Sequence, residues 1–241
     1  MDKTPALRIH QSIAREIEIA ILSGRIGQGA QLDGEIEASQ ASGVSRTAYR
    51  EAIRILVAKG LIESRPKAGT RVTSAERWNR LDPDLLAWAF SGEPDPEFIE
   101  HLFELRRIIE PAIAALAAER RTTRQVESMQ ASLDAMQRYS LADERGQHAD
   151  LAFHRTMMEA AGNSALLTLA DSIGAAVAWT TRYKQRNRPL PRDPVADHAA
   201  VLAAIEAGDC VSASAAMARP IELALADMSL GQVSKPVRVS G

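Results

Sequence analysis

The sequence predicts a mainly α protein in two parts: an N-terminal winged helix-turn-helix and a C-terminal all-helical bundle. Three observations predict it. A short helical run begins at Ser45 and is followed at once by two β-prone runs around the turn Pro66-Lys67-Ala68-Gly69. From residue 97 onward, apolar residues recur at steps of three and four with no strand-like alternation. Between the two parts, Ser91-Gly92-Glu93-Pro94-Asp95-Pro96 breaks regular structure. The expected boundaries are a head over residues 1–76, a connector over 77–96, a bundle over 97–230 and a loose tail over 231–241.

In the head, Ile9, Ile13, Ile17 and Ile21 stand at steps of four, which puts one apolar stripe on a helix over 6–22. A glycine-rich loop is expected over 24–34, then a short helix over 35–41. Ser45 is the residue type that caps a helix start. In the helix it opens, Arg46, Arg50 and Arg54 share one side at about 100° per residue. Ile53, Leu56 and Val57 lie on another side and are expected to bury, and Gly60 stops the helix. Runs 61–63 and 70–72 are expected as the hairpin strands.

The connector carries Trp78, Leu81, Leu85, Leu86 and Trp88, too apolar for a free linker, and a short helix is expected over 83–90. Six helices are expected in the bundle: 97–120, a second from the Thr122-Thr123 cap, 142–161, 164–186, 194–207 and 209–229. Prolines 111 and 220 fall inside the first and last of these, where each is expected to kink its helix.

Charge and composition narrow the function. The chain of 241 residues has a net charge of −2, yet residues 46–71 hold seven Lys and Arg against two acidic residues. A local basic patch on an otherwise acidic chain favours a polyanion at that patch. The single cysteine, Cys210, excludes an internal disulfide and fits a reducing cytoplasm. No apolar run approaches the ~20 residues that span a bilayer, and no secretory leader is apparent.

In the bundle, Asp150 and His154 are spaced to share one helix face and one metal ion, with His198 able to join them from another helix. Without wider context, a histidine bonded to a backbone carbonyl in the core is the commoner outcome.

These residues together resemble the GntR family of bacterial transcription regulators, in its FadR-type (FCD) subfamily. The resemblance rests on GVSRTAYREAIRILVAKGLIE (43–63) with the wing after it, on ELRRIIEPAIAALAAER (104–120), on DLAFHRTMMEAAGNSAL (150–166) and on DHAAVLAAIEAGD (197–209). The connector WNRLDPDLLAW (78–88) is further similar to repressors that answer to sugar acids such as galactonate.

The resemblance implies a dimeric, effector-responsive repressor bound to a palindromic double-stranded operator. Its DNA contacts would be Ser45, Arg46, Thr47, Arg50 and Arg54 on the helix, with Lys67, Gly69 and Arg71 on the wing. It implies a small carboxylate effector, a sugar acid among the candidates, held by Arg106. The other reading of Arg106 is a surface ion pair with Glu110. Asn163 is either an effector contact or a helix C-cap, and Trp179, Arg182 and Tyr183 either line the pocket or pack helices. A divalent metal, zinc first, is implied at Asp150, His154 and His198. Pro220 weakens that expectation, because it stands where the family has a third histidine and cannot ligate. The head also departs from the family pattern: Leu32-Asp33-Gly34-Glu35 replaces Leu-Pro-Ser-Glu, and Ile36 replaces an arginine that contacts DNA. A second class, a metal-dependent hydrolase using Asp150, His154 and His198, lacks an evident general base and gives the head no role.

Overall fold

The computed structural model describes residues 9–65, 69–187 and 194–232. The chain divides into two compact units, Met1–Trp88 and Ala89–Gly241.

The first unit is built on α1 (Ile9–Leu22), α2 (Glu35–Ala41) and α3 (Arg46–Ala58), with strands β1 (Gln31–Leu32), β2 (Ile62–Arg65) and β3 (Gly69–Val72). The isoleucine stripe of α1 buries Ile13 and Ile21 against Tyr49, Ala52 and Leu56 of α3. Ile9, the first residue of that stripe, is exposed at the helix start. On α3 the buried face is Tyr49, Ala52 and Leu56 rather than Ile53, Leu56 and Val57. The helix is rotated so that Ile53 is partly covered and Val57 is 42% exposed.

Ser45 caps α3 by accepting a hydrogen bond from the Ala48 N–H at 3.2 Å. Gly60 ends it with φ of +75°, and a side chain there would collide with the Arg77 carbonyl. The expected glycine-rich loop contains β1, which pairs antiparallel with β3, so the sheet has three strands in the order β1-β3-β2. A two-residue strand has no alternation to betray it in sequence. Trp78 donates from Nε1 to Thr73 Oγ1 at 3.1 Å, and Leu85 lies in the same core. Residue 85 belongs to α4 (Pro83–Ala89).

The second unit is helical throughout its described residues: α5 (Pro96–Arg120), α6 (Thr123–Tyr139), α7 (Glu144–Ala160), α8 (Ser164–Leu167), α9 (Ala170–Asn187), α10 (Val195–Ala207) and α11 (Cys210–Gln232). The first three starts are chemically marked. Asp95 caps α5, Thr122 and Gln125 form a capping box on α6, and Asp143 caps α7. Helix α5 packs along α11 and α7, α6 packs on α7, and α10 crosses α5, α6 and α11. Phe103, Ile113, Met129, Met136, Phe153 and Ile205 are completely covered between them. The single helix expected over 164–186 is broken at residues 168–169 into α8 and α9, so this part has seven helices rather than six.

Candidate functional site

The first unit presents α3 with Arg46, Thr47, Arg50 and Arg54 all exposed. Arg46 Nε lies 3.6 Å from Glu35 and Arg54 Nη1 lies 2.7 Å from Glu51. Arg50 makes no ion pair with the described residues. It lines a cleft of about 550 Å³ between α3 and the sheet, together with Arg54, Gln31, Ser64, Gly69 and Thr70. Arg71 is turned back on β1, donating to Gly29 O at 3.4 Å and to Gln31 Oε1 at 3.2 Å. Gly69 has φ of +81°, and an added Cβ would stand 2.9 Å from the Gln31 amide. Lys67 falls outside the described residues. Ile36 is 52% exposed on α2, an apolar side chain where the family carries a DNA-contacting arginine.

A feature of the head that the sequence did not disclose lies at the end of α3. Lys59 is 8% exposed, and its ammonium sits 2.9 Å from Glu18 Oε2, 3.1 Å from Asp82 Oδ1 and 2.5 Å from Asp84 Oδ2. Burial by itself would lower the Lys59 pKa. The hydrogen bonds to Asp84, Glu18 and Asp82 outweigh that and hold it above the ordinary lysine value. Burial pushes the Glu18 carboxyl up, despite its bond to Lys59. No short motif announces this cluster, because its four members are spread from α1 to α4.

The second unit brings its predicted residues together around a cavity of about 70 Å³. Arg106 and Glu110 come from one face of α5, and Asp150 and His154 from one face of α7, each pair separated by a single turn. Thr180 comes from α9, His198 from α10 and Pro220 from α11. Arg106 and Glu110 do pair, with Nε to Oε1 at 2.6 Å, but the pair is buried rather than on the surface: the two residues are 6% and 1% exposed. Arg106 Nη1 also donates to Thr180 Oγ1 at 3.2 Å, and that hydroxyl donates to the Ala176 carbonyl.

Four candidate pocket residues lie elsewhere. Asn163 is the N-cap of α8, accepting from the N–H groups of Ala165 at 3.0 Å and Leu166 at 3.2 Å, and it is not in the cavity lining. It is a cap as the second reading expected, but at a helix start, because the chain turns into α8 at once. Trp179, Arg182 and Tyr183 are absent from the lining as well. Arg182 stacks on Trp179 and donates to Gln147, and Tyr183 packs edge-on against Phe90 and donates to Glu93. Glu110 and Thr180 are among the lining residues that were missed. Glu110 was visible only as a possible ion-pair partner, and Thr180 had no signal in its helix.

The histidines are arranged alike. His198 Nδ1 meets the Pro194 carbonyl at 2.8 Å, so that nitrogen carries the proton. His154 Nδ1 faces Glu110 Oε2 at 3.7 Å. Both Nε2 atoms are thereby left facing Asp150 Oδ1, at 2.9 Å for His198 and 3.7 Å for His154. The His198 contact is a hydrogen bond only when Nε2 is also protonated; otherwise lone pairs face one another. Among the described residues, buried Glu110 Oε2 and His154 Nδ1 have no hydrogen-bond partner, and Asp150 Oδ1 gains one only from a protonated His198 Nε2.

Burial lowers the His154 pKa, against the pull of the Asp150 and Glu110 carboxylates. For His198 burial acts downward too, but the bond to Asp150 and its charge prevail and raise it. Burial opposes the Asp150 charge, yet the His198 bond outweighs it and lowers that carboxyl.

A cation fits this donor set. The three ligand atoms lie within 4.8 Å of one another, and tetrahedral zinc with bonds of about 2.1 Å separates its ligands by about 3.4 Å. One carboxylate oxygen and two imidazole nitrogens are suitable ligand chemistry. Pro220 lines the cavity and offers no ligand atom, so any fourth position is filled from outside the set.

Comparison with known proteins decides the family. Residues 9–72 match the bacterial regulatory proteins of the gntR family, and residues 101–223 match the FCD domain. The chain belongs to the GntR family, with an FCD domain at its C-terminal end. It is a transcriptional regulator and not an enzyme, which sets the hydrolase reading aside.

Among its relatives, this GntR-family chain is 36% identical over 162 residues to the HTH-type transcriptional regulator YieP of Escherichia coli K12, covering 66% of this chain and 70% of that protein. It is 33% identical over 155 residues to the galactonate operon transcriptional repressor of the same organism, covering 64% and 68%. It is 33% identical over 214 residues to the regulator Rv0494 of Mycobacterium tuberculosis, covering 86% and 84%. A solved structure of Lar, a Listeria monocytogenes protein described as controlling expression of the agr system, shares the fold. Its TM-score is 0.60 at 17% identity, over 95% of this chain and 99% of that one.

Proposed function

We propose that this regulator is a homodimeric, cytoplasmic repressor. It binds a palindromic operator through its first unit and is released when a small carboxylate binds in the second. The observation that carries the reading is the cavity itself: a buried arginine, Arg106, beside a converging Asp150, His154 and His198. A buried guanidinium recognises a carboxylate through paired N–H bonds. Its Nε is held by Glu110 and one Nη1 hydrogen by Thr180, so the fork that remains is the Nη1–Nη2 edge. A divalent metal, zinc first, held by Asp150, His154 and His198 would add Lewis-acid binding of a carboxylate or hydroxyl oxygen. With Pro220 in place of a fourth ligand, a position stays open for the effector.

The galactonate repressor among the relatives points to a sugar acid. A ligand shifts an equilibrium only by its differential affinity for two arrangements. Release follows when the effector favours an arrangement that places two DNA heads differently on a symmetric operator.

On the DNA side we propose Ser45, Arg46, Thr47, Arg50 and Arg54, with wing residues Lys67, Gly69 and Arg71, as contacts. Arg50 has the strongest claim among the arginines, because it stands in the α3–sheet cleft with no ion pair among the described residues. The test is anisotropy with DNA from the regulator's own promoter. Arg50→Ala is expected to lose about 1–3 kcal/mol of specific binding while the circular dichroism stays unchanged. Wild-type affinity in that variant contradicts the DNA reading. Calorimetry with aldonic, uronic and short 2-hydroxy acids, with and without zinc, tests the effector. Binding that survives Arg106→Met contradicts the carboxylate assignment.

A further inference from the structure

We propose that Glu110 is the positioning residue of the metal cluster: its carboxylate sets the tautomer and ring orientation of His154 while it holds Arg106. The inference rests on the reading of Asp150, His154 and His198 as metal ligands, and it adds a residue outside that set.

The geometry is specific. Glu110 is 1% exposed. Its Oε1 accepts from Arg106 Nε at 2.6 Å, and its Oε2 faces His154 Nδ1 at 3.7 Å. Both of the atoms across that gap are buried and without a hydrogen-bond partner. This acceptor and potential donor, unpaired among the described residues and slightly beyond bonding distance, need only a small rotation of either side chain to bond.

Closing the gap fixes the proton on Nδ1 and leaves the Nε2 lone pair directed at Asp150 Oδ1, 3.7 Å away. The second imidazole is held to the same tautomer differently, by the Pro194 carbonyl. The two ring nitrogens that remain face the same carboxylate oxygen. A ligand histidine whose outer nitrogen bonds a carboxylate is a better-oriented and more basic ligand, and losing that partner typically costs 10–100-fold in metal affinity.

Glu110→Gln separates this role from a packing role. The glutamine keeps the size, and its amide oxygen still accepts from Arg106. Its NH₂ then faces His154 Nδ1 as a donor. That favours the opposite tautomer, with the proton on Nε2, and removes the lone pair from the cluster.

The experiment uses the full chain, stripped of metal, with zinc alone as the probe. Affinity is measured by competition with a chromophoric chelator. We expect wild type to bind one zinc per chain and Glu110→Gln to bind 10–100-fold more weakly. Nitrogen NMR of the metal-free wild type, with His154 assigned by loss of its signals in His154→Gln, is expected to show the Nδ1–H form. This readout holds even if the Glu110 variant does not fold. Equal zinc affinity in wild type and Glu110→Gln overturns the inference while leaving the metal site standing, and so does an Nε2–H tautomer in the wild type. No zinc uptake by wild type overturns both.

Discussion

Two charge clusters, one in each unit, are built from similar parts and end in opposite states. In the head, Glu18, Asp82 and Asp84 lie close enough together to hold a metal, but the ammonium of Lys59 already stands among them. In the bundle, Asp150, His154 and His198 converge without a lysine or arginine at their centre. Arg106, which lines the same cavity together with Lys184, bonds to Glu110 and Thr180. A cluster that supplies its own cation is complete and structural. One that leaves a carboxylate oxygen facing two imidazole nitrogens requires a proton or a metal. Proximity of acidic groups does not mark a ligand site; what matters is whether the chain has neutralised them itself.

The comparison can be broken at its strongest point in the head. Lys59→Met leaves the buried Glu18 beside two aspartates with no cation. Removing one partner of a buried ion pair costs about 3–5 kcal/mol, and the exposure of Asp84 places this case near the lower figure. Urea unfolding of the first unit reads that loss, and unchanged stability would mean the cluster is not held by its lysine.

The next effect is in the bundle. Zinc at a hundredfold excess over its Kd is expected to stabilise the wild-type fold by about 2.7 kcal/mol. Asp150→Asn should lose that gain while Asp84→Asn keeps it, as thermal unfolding with and without zinc will show.

Smaller still is Asn163→Ala. It removes the cap of α8 at a cost of about 1 kcal/mol and should leave zinc affinity untouched. A loss of zinc affinity would return Asn163 to the site.

The smallest effect is on pH. The folded state raises the His198 pKa, so its stabilising contribution is full below about 6.5 and is lost as the pH rises through the higher folded value. Metal-free protein should therefore lose stability over that interval. Zinc, which competes with the proton, should reverse the trend.

Legibility in the sequence followed the range of the interactions. The α3 cap at Ser45, the Gly60 stop and the seating of Asp150 with His154 depend on neighbours within a turn, and all were visible. The meeting of His198 with them spans α7 to α10, and the family resemblance supplied what spacing did not. Glu110 and Thr180 were hidden because their roles depend on how α5 and α9 are rotated against α7. The Lys59 cluster draws on α1, α3 and α4 and has no local signature. The break between α8 and α9 was missed because the apolar pattern runs on through Leu166, Leu167 and Leu169, while Asn163 looked like an end and not a beginning.

Zinc stoichiometry tests the contrast most directly. The metal-free full chain is titrated by calorimetry as wild type, as the double variant Glu18→Gln/Asp84→Asn and as His198→Gln. The expected result is one zinc per chain in the first two and none in the third. Uptake that persists in His198→Gln, or that disappears with the head's carboxylates, would contradict the assignment of the two clusters.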